Sequence, residues 1–254
     1  MKELRCPKGK AKSFGKIYQY PDGSYDLITA DRPTFCPRGA WEEFREKPQT
    51  TPREKKSEPS EDDLERARRR ARANVRRLAL ANEFKWFVTL TIDPKKIDSY
   101  DAQAVTKRLS QWLSNRVKRD GLCYVLVPEY HKSGRIHYHG FFSDSVKAVD
   151  SGHTDSQGHK IYNLPQWDYG FTTAIELYGD YHSAVGYVVK YIGKESKKIG
   201  GRWYYSGGKL KKPVEKFVDI DSRELYDQYG NQAWMKATPG GVFAGVNGLK
   251  GESV

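Results

Sequence analysis

Cysteine is scarce in this chain. Cys6, Cys36 and Cys123 are the only three among 254 residues. They form neither a paired framework nor a zinc-binding spacing, which excludes a disulfide-stapled secreted scaffold and suggests a reducing cytosol. Long apolar runs are missing as well. No stretch approaches the roughly 20 apolar residues of a membrane span, and the opening MKELRCPKGK has no apolar signal region. The expectation is a cytoplasmic protein without a membrane partner. No Walker-type phosphate loop is present, so no fused helicase domain is expected. Acidic residues fall short of basic ones, 32 against 44, which leaves a formal charge of +12. Such an excess favours a polyanionic partner, although ribosomal and membrane-surface proteins share it.

The segment EYHKSGRIHYH, Glu129 to His139, carries the most chemistry. CYVLVPE (Cys123 to Glu129) and RIHYHGFF (Arg135 to Phe142) read as two strands, and HKSG between them carries a turn signal, with Gly134 free to take positive φ. With the tip at Lys132 to Gly134, Glu129 lies opposite His137. Strand side chains alternate between faces, so His137 and His139 share one face and Glu129 joins them across the ladder. Ile136, Tyr138 and Phe142 then point into a core. One carboxylate and two neutral imidazoles suit Mg²⁺ or Mn²⁺, and imidazole also admits Zn²⁺, Ni²⁺ or Co²⁺. Three protein ligands leave open positions, as a catalytic metal requires. An isolated H-x-H pair also serves as two half-buried hydrogen-bonding histidines. The register-matched glutamate is what turns the reading toward metal. His131 falls in the turn and is expected to be solvated; His153, His159 and His182 lack ligand-like spacing.

A second element follows in DYHSAVGYVVKYIGKES, where Ala184, Val185, Val188, Val189 and Ile192 recur at helical spacing behind Asp180, a suitable N-cap. Tyr187 and Tyr191 fall at i and i+4 on one face, and Lys190 and Lys194 do so on a neighbouring face. A phenol has a pKa of about 10 and is a weak nucleophile unless a metal polarises the electrophile and cations favour phenolate. A phosphodiester held by a metal meets that need. Tyrosines on an amphipathic helix also serve as core-edge packing, and this chain has 17.

The rest of the chain divides coarsely. Residues 1–45 contain a possible hairpin, KIYQYPDGSYDLI, turning at Asp22-Gly23; residues 46–60 read as a proline-rich charged linker. Residues 61–83 read as an arginine-rich helix capped by Ser60 and acidic in its first turn. Leu64, Ala67, Ala71, Val75 and Leu78 make its thin apolar stripe, and its arginines suit either a solvated face or a DNA-backbone contact. Residues 84–210 follow the order β-α-β-β-x-β-α-β. The strands are Lys85–Ile92, the hairpin, Gly170–Leu177 and Arg202–Ser206; a helix spans Asp101–Lys118, and SGHTDSQGHK is irregular. That order predicts an α+β fold, with a central antiparallel sheet of about five strands and helices on one face, close to the ferredoxin-like plan. In GGRWYYSGGKLKKP, aromatics alternate with Arg202, Lys209, Lys211 and Lys212, which suits single-stranded nucleic acid or a packed final strand with a basic loop. Residues 211–254 read as an extension, glycine-rich and partly flexible toward its end.

Three blocks in order, FVTLTID (Phe87 to Asp93), RIHYHGFF and YVVKY, resemble the HUH endonucleases that initiate rolling-circle replication in plasmids and single-stranded DNA phages. Tyr187-x-x-Lys190 matches the single-tyrosine initiators, and Tyr187-x-x-x-Tyr191 the two-tyrosine phage type. The resemblance implies a ferredoxin-like HUH fold, a metal held by Glu129, His137 and His139, and Tyr187 as nucleophile with Tyr191 as its second tyrosine. It implies that Lys190 contacts the scissile phosphate or helps place metal and phenol. Thr89, Thr91, Lys194, Arg202 and Lys209 become candidate DNA contacts. The implied activity is nicking and rejoining of single-stranded DNA at an origin hairpin through a 5′-phosphotyrosine. Partners would be that DNA and a host helicase and polymerase, inside a bacterial cell. A transposase or relaxase of the same fold and a non-catalytic nucleic-acid-binding module are the alternatives. A cupin-type protein also uses H-x-H, but its glutamate follows the histidines.

Overall fold

The computed structural model describes residues 13–35, 59–177, 179–194, 197–238 and 240–250. Cys6, Cys36 and most of the expected linker lie outside them. In chain order the elements are β1 (Gly15–Gln19), β2 (Ser24–Ala30), α1 (Glu61–Leu80), β3 (Trp86–Thr91), α2 (Ala102–Asp120), β4 (Tyr124–Tyr130) and β5 (Ile136–Phe142). Then come β6 (Val149–Thr154), β7 (Lys160–Asn163), β8 (Thr172–Glu176), α3 (Tyr181–Lys194), β9 (Tyr205–Gly207), β10 (Val214–Val218), α4 (Ser222–Tyr229), β11 (Trp234–Thr238) and β12 (Gly241–Lys250). They form two compact units, one within Glu58–Lys212 and the other drawn from both chain ends, Met1–Ser57 with Pro213–Val254.

The larger unit is built on a seven-stranded sheet in the order β6-β7-β8-β3-β5-β4-β9, antiparallel throughout. Strict alternation in β3 sends Trp86, Val88 and Leu90 to one face, where they join Ile136, Tyr138 and Phe142 of β5. Val105, Leu109, Trp112 and Leu113 of α2 close that core, with Trp112 stacked on Phe142 at 6.0 Å between ring centroids. Asp101 caps α2 by accepting from the Gln103 and Ala104 amides, and Gly121 ends it in the left-handed region. The opposite face carries α1 and α3. Tyr181 at the start of α3 donates to the Ala79 carbonyl near the end of α1 and contacts Phe141 of β5. Ser60 and Asp63 form the capping box at the start of α1.

The α+β class holds, but the sheet is larger than the five strands expected, and helices cover both faces rather than one. The two added strands, β6 and β7, occupy the stretch expected to be irregular. Their side chains are mostly exposed, so no apolar alternation announces them. Turn chemistry does: Asp155 accepts from the Gln157 and His159 amides, and Gly158 takes φ of 86°.

In the smaller unit, β1 and β2 form a hairpin whose Gly23 has φ of 79°. Its strands continue into a five-stranded sheet, β10-β1-β2-β12-β11. Leu27 of β2 pairs with Val246 of β12, and Ile17, Leu27, Val218, Leu225 and Val246 form the core beneath α4. The glycine-rich tail expected to be partly flexible is therefore a ten-residue central strand up to Lys250. Its partner β2 lies near the other end of the chain, beyond the reach of local pattern.

Candidate functional site

The β4–β5 hairpin has the register its sequence implies. Glu129 pairs with His137 and Val127 with His139. The turn between them holds Gly134 at φ of 80°, with the Gly134 amide donating to the His131 carbonyl. On the other side of β5, Thr89 pairs with His139 and Thr91 with His137. Glu129, His137, His139, Thr89 and Thr91 therefore share the sheet face that carries α3. Gly140 is what allows β4 and β5 to pack this closely: a Cβ there would lie 2.0 Å from the Val125 carbonyl oxygen.

Glu129 and His139 converge. Glu129 Oε2 lies 3.0 Å from His139 Nε2, yet Nε2 is buried without a hydrogen-bond partner, because the approach is off the line of a hydrogen bond. On its other side, His139 Nδ1 lies 3.1 Å from Thr89 Oγ1. Burial holds the His139 imidazole well below its ordinary range, at about 4, with Glu129 pulling partly the other way. The ring is thus neutral near pH 7 and keeps a lone pair for a Lewis acid. Glu129 Oε1 accepts from Lys194 Nζ at 2.6 Å, and the same ammonium sits 4.5 Å from the centre of the Tyr191 ring.

His137 stands one row along the face. Its ring centroid is 6.3 Å from that of His139, and it stacks on His131 at 4.9 Å and 16°. Burial and the neighbouring His131 both lower its pKa. Among the described residues, no group of three or more His, Cys, Asp or Glu side chains is gathered to hold a metal ion. The expected three-way convergence is therefore met by Glu129 and His139, with His137 alongside. His131, expected to be merely solvated, is exposed and forms part of the imidazole stack.

Asp180 starts α3 by accepting from the Ser183 amide. Val185, Val188 and Ile192 of the helix are buried. Tyr191 lies on the same inward side, only 5% exposed, with its ring flat against His139 at 4.2 Å and 6°. Its hydroxyl donates to the Tyr187 hydroxyl at 2.6 Å. Burial and that hydrogen bond push the Tyr191 phenol far above its ordinary range. Tyr187, one turn earlier, is 51% exposed and leans on Phe87 at 5.9 Å. Lys190 is exposed on the same helix.

Two of the expected contacts lie elsewhere. Arg202 stacks on Tyr205, which belongs to the α2-side core, so it lies on the opposite face of the sheet from Glu129. Lys209 follows Gly208, which packs on Leu122 and Cys123 just before β4, about 20 Å along that strand from Glu129. A concavity lined by Asp31, Asp221, Arg223 and Tyr226 lies wholly in the smaller unit and shares no residue with this set.

The side chains brought together are a carboxylate, neutral imidazoles, a phenol open to solvent and a second phenol hydrogen-bonded to it, with ammonium groups alongside. None of the described helices is long and apolar enough to cross a membrane. No curated protein and no solved structure matches the chain. Residues 85–196, the span that holds β3 through α3 and every converging side chain of this site, match the family model of the replication-associated protein of the ORF2 type, so the domain built around the site is similar to replication-associated proteins.

Proposed function

We propose that the chain is a rolling-circle replication initiator of a phage or plasmid. It nicks single-stranded DNA at an origin and rejoins it through a 5′-phosphotyrosine on Tyr187. The observation that carries this reading is the exposed Tyr187 hydroxyl, which accepts from Tyr191 beside the His139–Glu129 pair, within a span similar to replication-associated proteins.

The donor set fits a divalent metal. His139 Nε2 is buried without a hydrogen-bond partner and faces a carboxylate oxygen at 3.0 Å. Two ligands of one octahedral ion at about 2.1 Å are separated by about 3 Å when adjacent. Glu129 and His139 would hold Mg²⁺ or Mn²⁺, with His137 as third ligand. A bound ion would neutralise the oxygens of the scissile phosphate.

The protein groups do the rest. Thr89 fixes the His139 ring through Nδ1. Tyr187 attacks phosphorus, its phenolic proton leaves to solvent or to a base, and the 3′ oxygen of the preceding nucleotide departs. Tyr191 donates to the Tyr187 oxygen and so favours its phenolate. Lys190 and Lys194 supply positive charge to the phosphates, and Thr91 lines the floor beside them. Arg202 and Lys209, away from the site, are proposed only as contacts for DNA outside it.

The test is direct. The purified chain is incubated with Mn²⁺ and single-stranded oligonucleotides covering its source replicon, and products are separated under denaturing conditions. A covalent protein–DNA adduct that Tyr187→Phe abolishes, with the DNA mapped to Tyr187 by mass spectrometry, is the expected result. No adduct across the whole set, with a gel shift retained, would replace this reading by a non-catalytic DNA-binding module. Terminal hairpins flanking the gene, in place of a replication origin, would favour a transposase.

A further inference from the structure

The site face of the sheet is only partly roofed. α3 lies over β4 and β5 through the Tyr191–His139 stack and reaches β3 at Phe87. Beyond it, toward β8, the face opens. Cross-strand pairing sets Glu129, His137 and Thr91 in one row on β4, β5 and β3. The Thr91 amide donates to the Phe171 carbonyl at 2.9 Å, which adds Phe171 to the end of that row. Thr172, the next residue, turns its hydroxyl to the Leu164 amide on the α2 side. The alternation therefore leaves Phe171 and Thr173 on the site face.

Phe171 is 72% exposed, the most exposed of the large hydrophobic side chains among the described residues. It stands beside a central strand, where a phenylalanine normally finds cover. The floor next to it is Thr91 and the exposed Thr173 in place of the apolar residues that pack under a helix. Phe171 is two strand spacings, about 10 Å, from His137. A flat apolar ring, a hydroxyl-bearing floor and a metal-competent pair in one row match a strand of unpaired nucleotides. Bases stack on aromatic rings, while phosphates follow positive charge. The chain's charge of +12 complements the backbone of such a strand.

We propose that Phe171 is a stacking platform for an unpaired nucleobase of the single strand that crosses the open part of the sheet face. This rests on the reading of the site as one that processes single-stranded DNA, and it adds a base-binding position to it. The platform holds the strand by a base without reading its identity, because every base offers a π face.

The test compares binding of two fluorescently labelled strands of equal length, oligo(dT) and an abasic backbone, by anisotropy. The full chain should prefer oligo(dT). Phe171→Ala should weaken oligo(dT) binding by roughly 5- to 150-fold and leave abasic binding unchanged. Phe171→Trp should retain the preference, and Phe171→Leu, which keeps apolar bulk without a ring, should lose it. Equal weakening of both strands by Phe171→Ala, or no weakening of either, overturns the platform. Adduct formation by the unaltered chain is measured in parallel. Adduct present with no base preference removes the platform alone. Base preference with no adduct on any replicon oligonucleotide removes the nicking reading and keeps the platform.

Discussion

Tyr191 donates its hydroxyl proton to Tyr187 across 2.6 Å. The two phenols of the i, i+4 pair are therefore unequal. Tyr191 is buried, stacked on His139 and held protonated; Tyr187 is half exposed and receives the hydrogen bond. A donor aimed at the Tyr187 oxygen steadies negative charge there, and hydrogen bonds to charged groups contribute about 1.5–3 kcal/mol. Tyr191→Phe should slow first-strand cleavage by roughly 10- to 150-fold while the adduct still forms on Tyr187. Single-turnover adduct formation followed on denaturing gels measures this. Loss as complete as that of Tyr187→Phe would mean that Tyr191 itself attacks.

Thr89 holds the far nitrogen of His139. Partners of this kind fix the ring's orientation and tautomer, and their loss typically costs roughly 10- to 100-fold in metal affinity. Thr89→Val keeps the β-branched shape that suits β3 and removes only the hydroxyl. Its thermal midpoint should stay close to that of the unaltered chain, while the Mn²⁺ concentration needed for half-maximal binding rises by about 10-fold or more. Calorimetric titration with Mn²⁺ reads the change, and equal affinity for both proteins would show that Thr89 does not position the ligand.

Where the sequence spoke clearly, it spoke through short-range rules. The Glu129–His137 register follows from one turn and the period of a strand, and the inward set of α2 follows from helical spacing. Gly134 at positive φ was legible for the same reason. The placements that escaped depend on contacts distant in sequence. Arg202 and Lys209 look basic and aromatic-flanked in the chain, but the pairing of β9 with the outer edge of β4 takes one to the far face and the other to the far end. The His131–His137 stack needs the turn's three-dimensional path, and the flat Tyr191–His139 contact needs the packing of α3 on β5. The partner of β12 is β2, at the opposite end of the chain.

Gly140 lies between His139 and Phe141, where β5 passes β4. A Cβ at this position would stand 2.0 Å from the Val125 carbonyl oxygen and 2.9 Å from the Leu126 Cα, both backbone atoms of a buried strand. Neither can yield without moving β4, and β4 carries Glu129. Gly140→Ala should destabilise the domain by about 2–4 kcal/mol, in the range of overpacked cores. Urea unfolding followed by far-UV circular dichroism measures it. A loss below about 1 kcal/mol would show that the hairpin can spread at no great cost.

His139 gives the stability of the domain a pH dependence of definite sign. Its folded value of about 4 lies below the ordinary 6.5, chiefly because burial disfavours the imidazolium. Above about pH 6.5 both folded and unfolded chains carry it neutral, and the full stability is present. As pH falls below that value the unfolded chain takes up a proton that the folded chain refuses. Stability drops on the order of 1 kcal/mol per pH unit until the folded ring protonates near 4, below which this contribution levels off. His137, also lowered by burial, adds a slope of the same sign. His139→Asn removes the larger contribution and the stack on Tyr191 together, so it should be less stable at about pH 7 yet lose less stability on acidification. Urea unfolding at about pH 7, 6 and 5, before most carboxylates titrate, compares the two slopes. Parallel slopes would show that the ring is solvated enough to accept its proton in the folded protein.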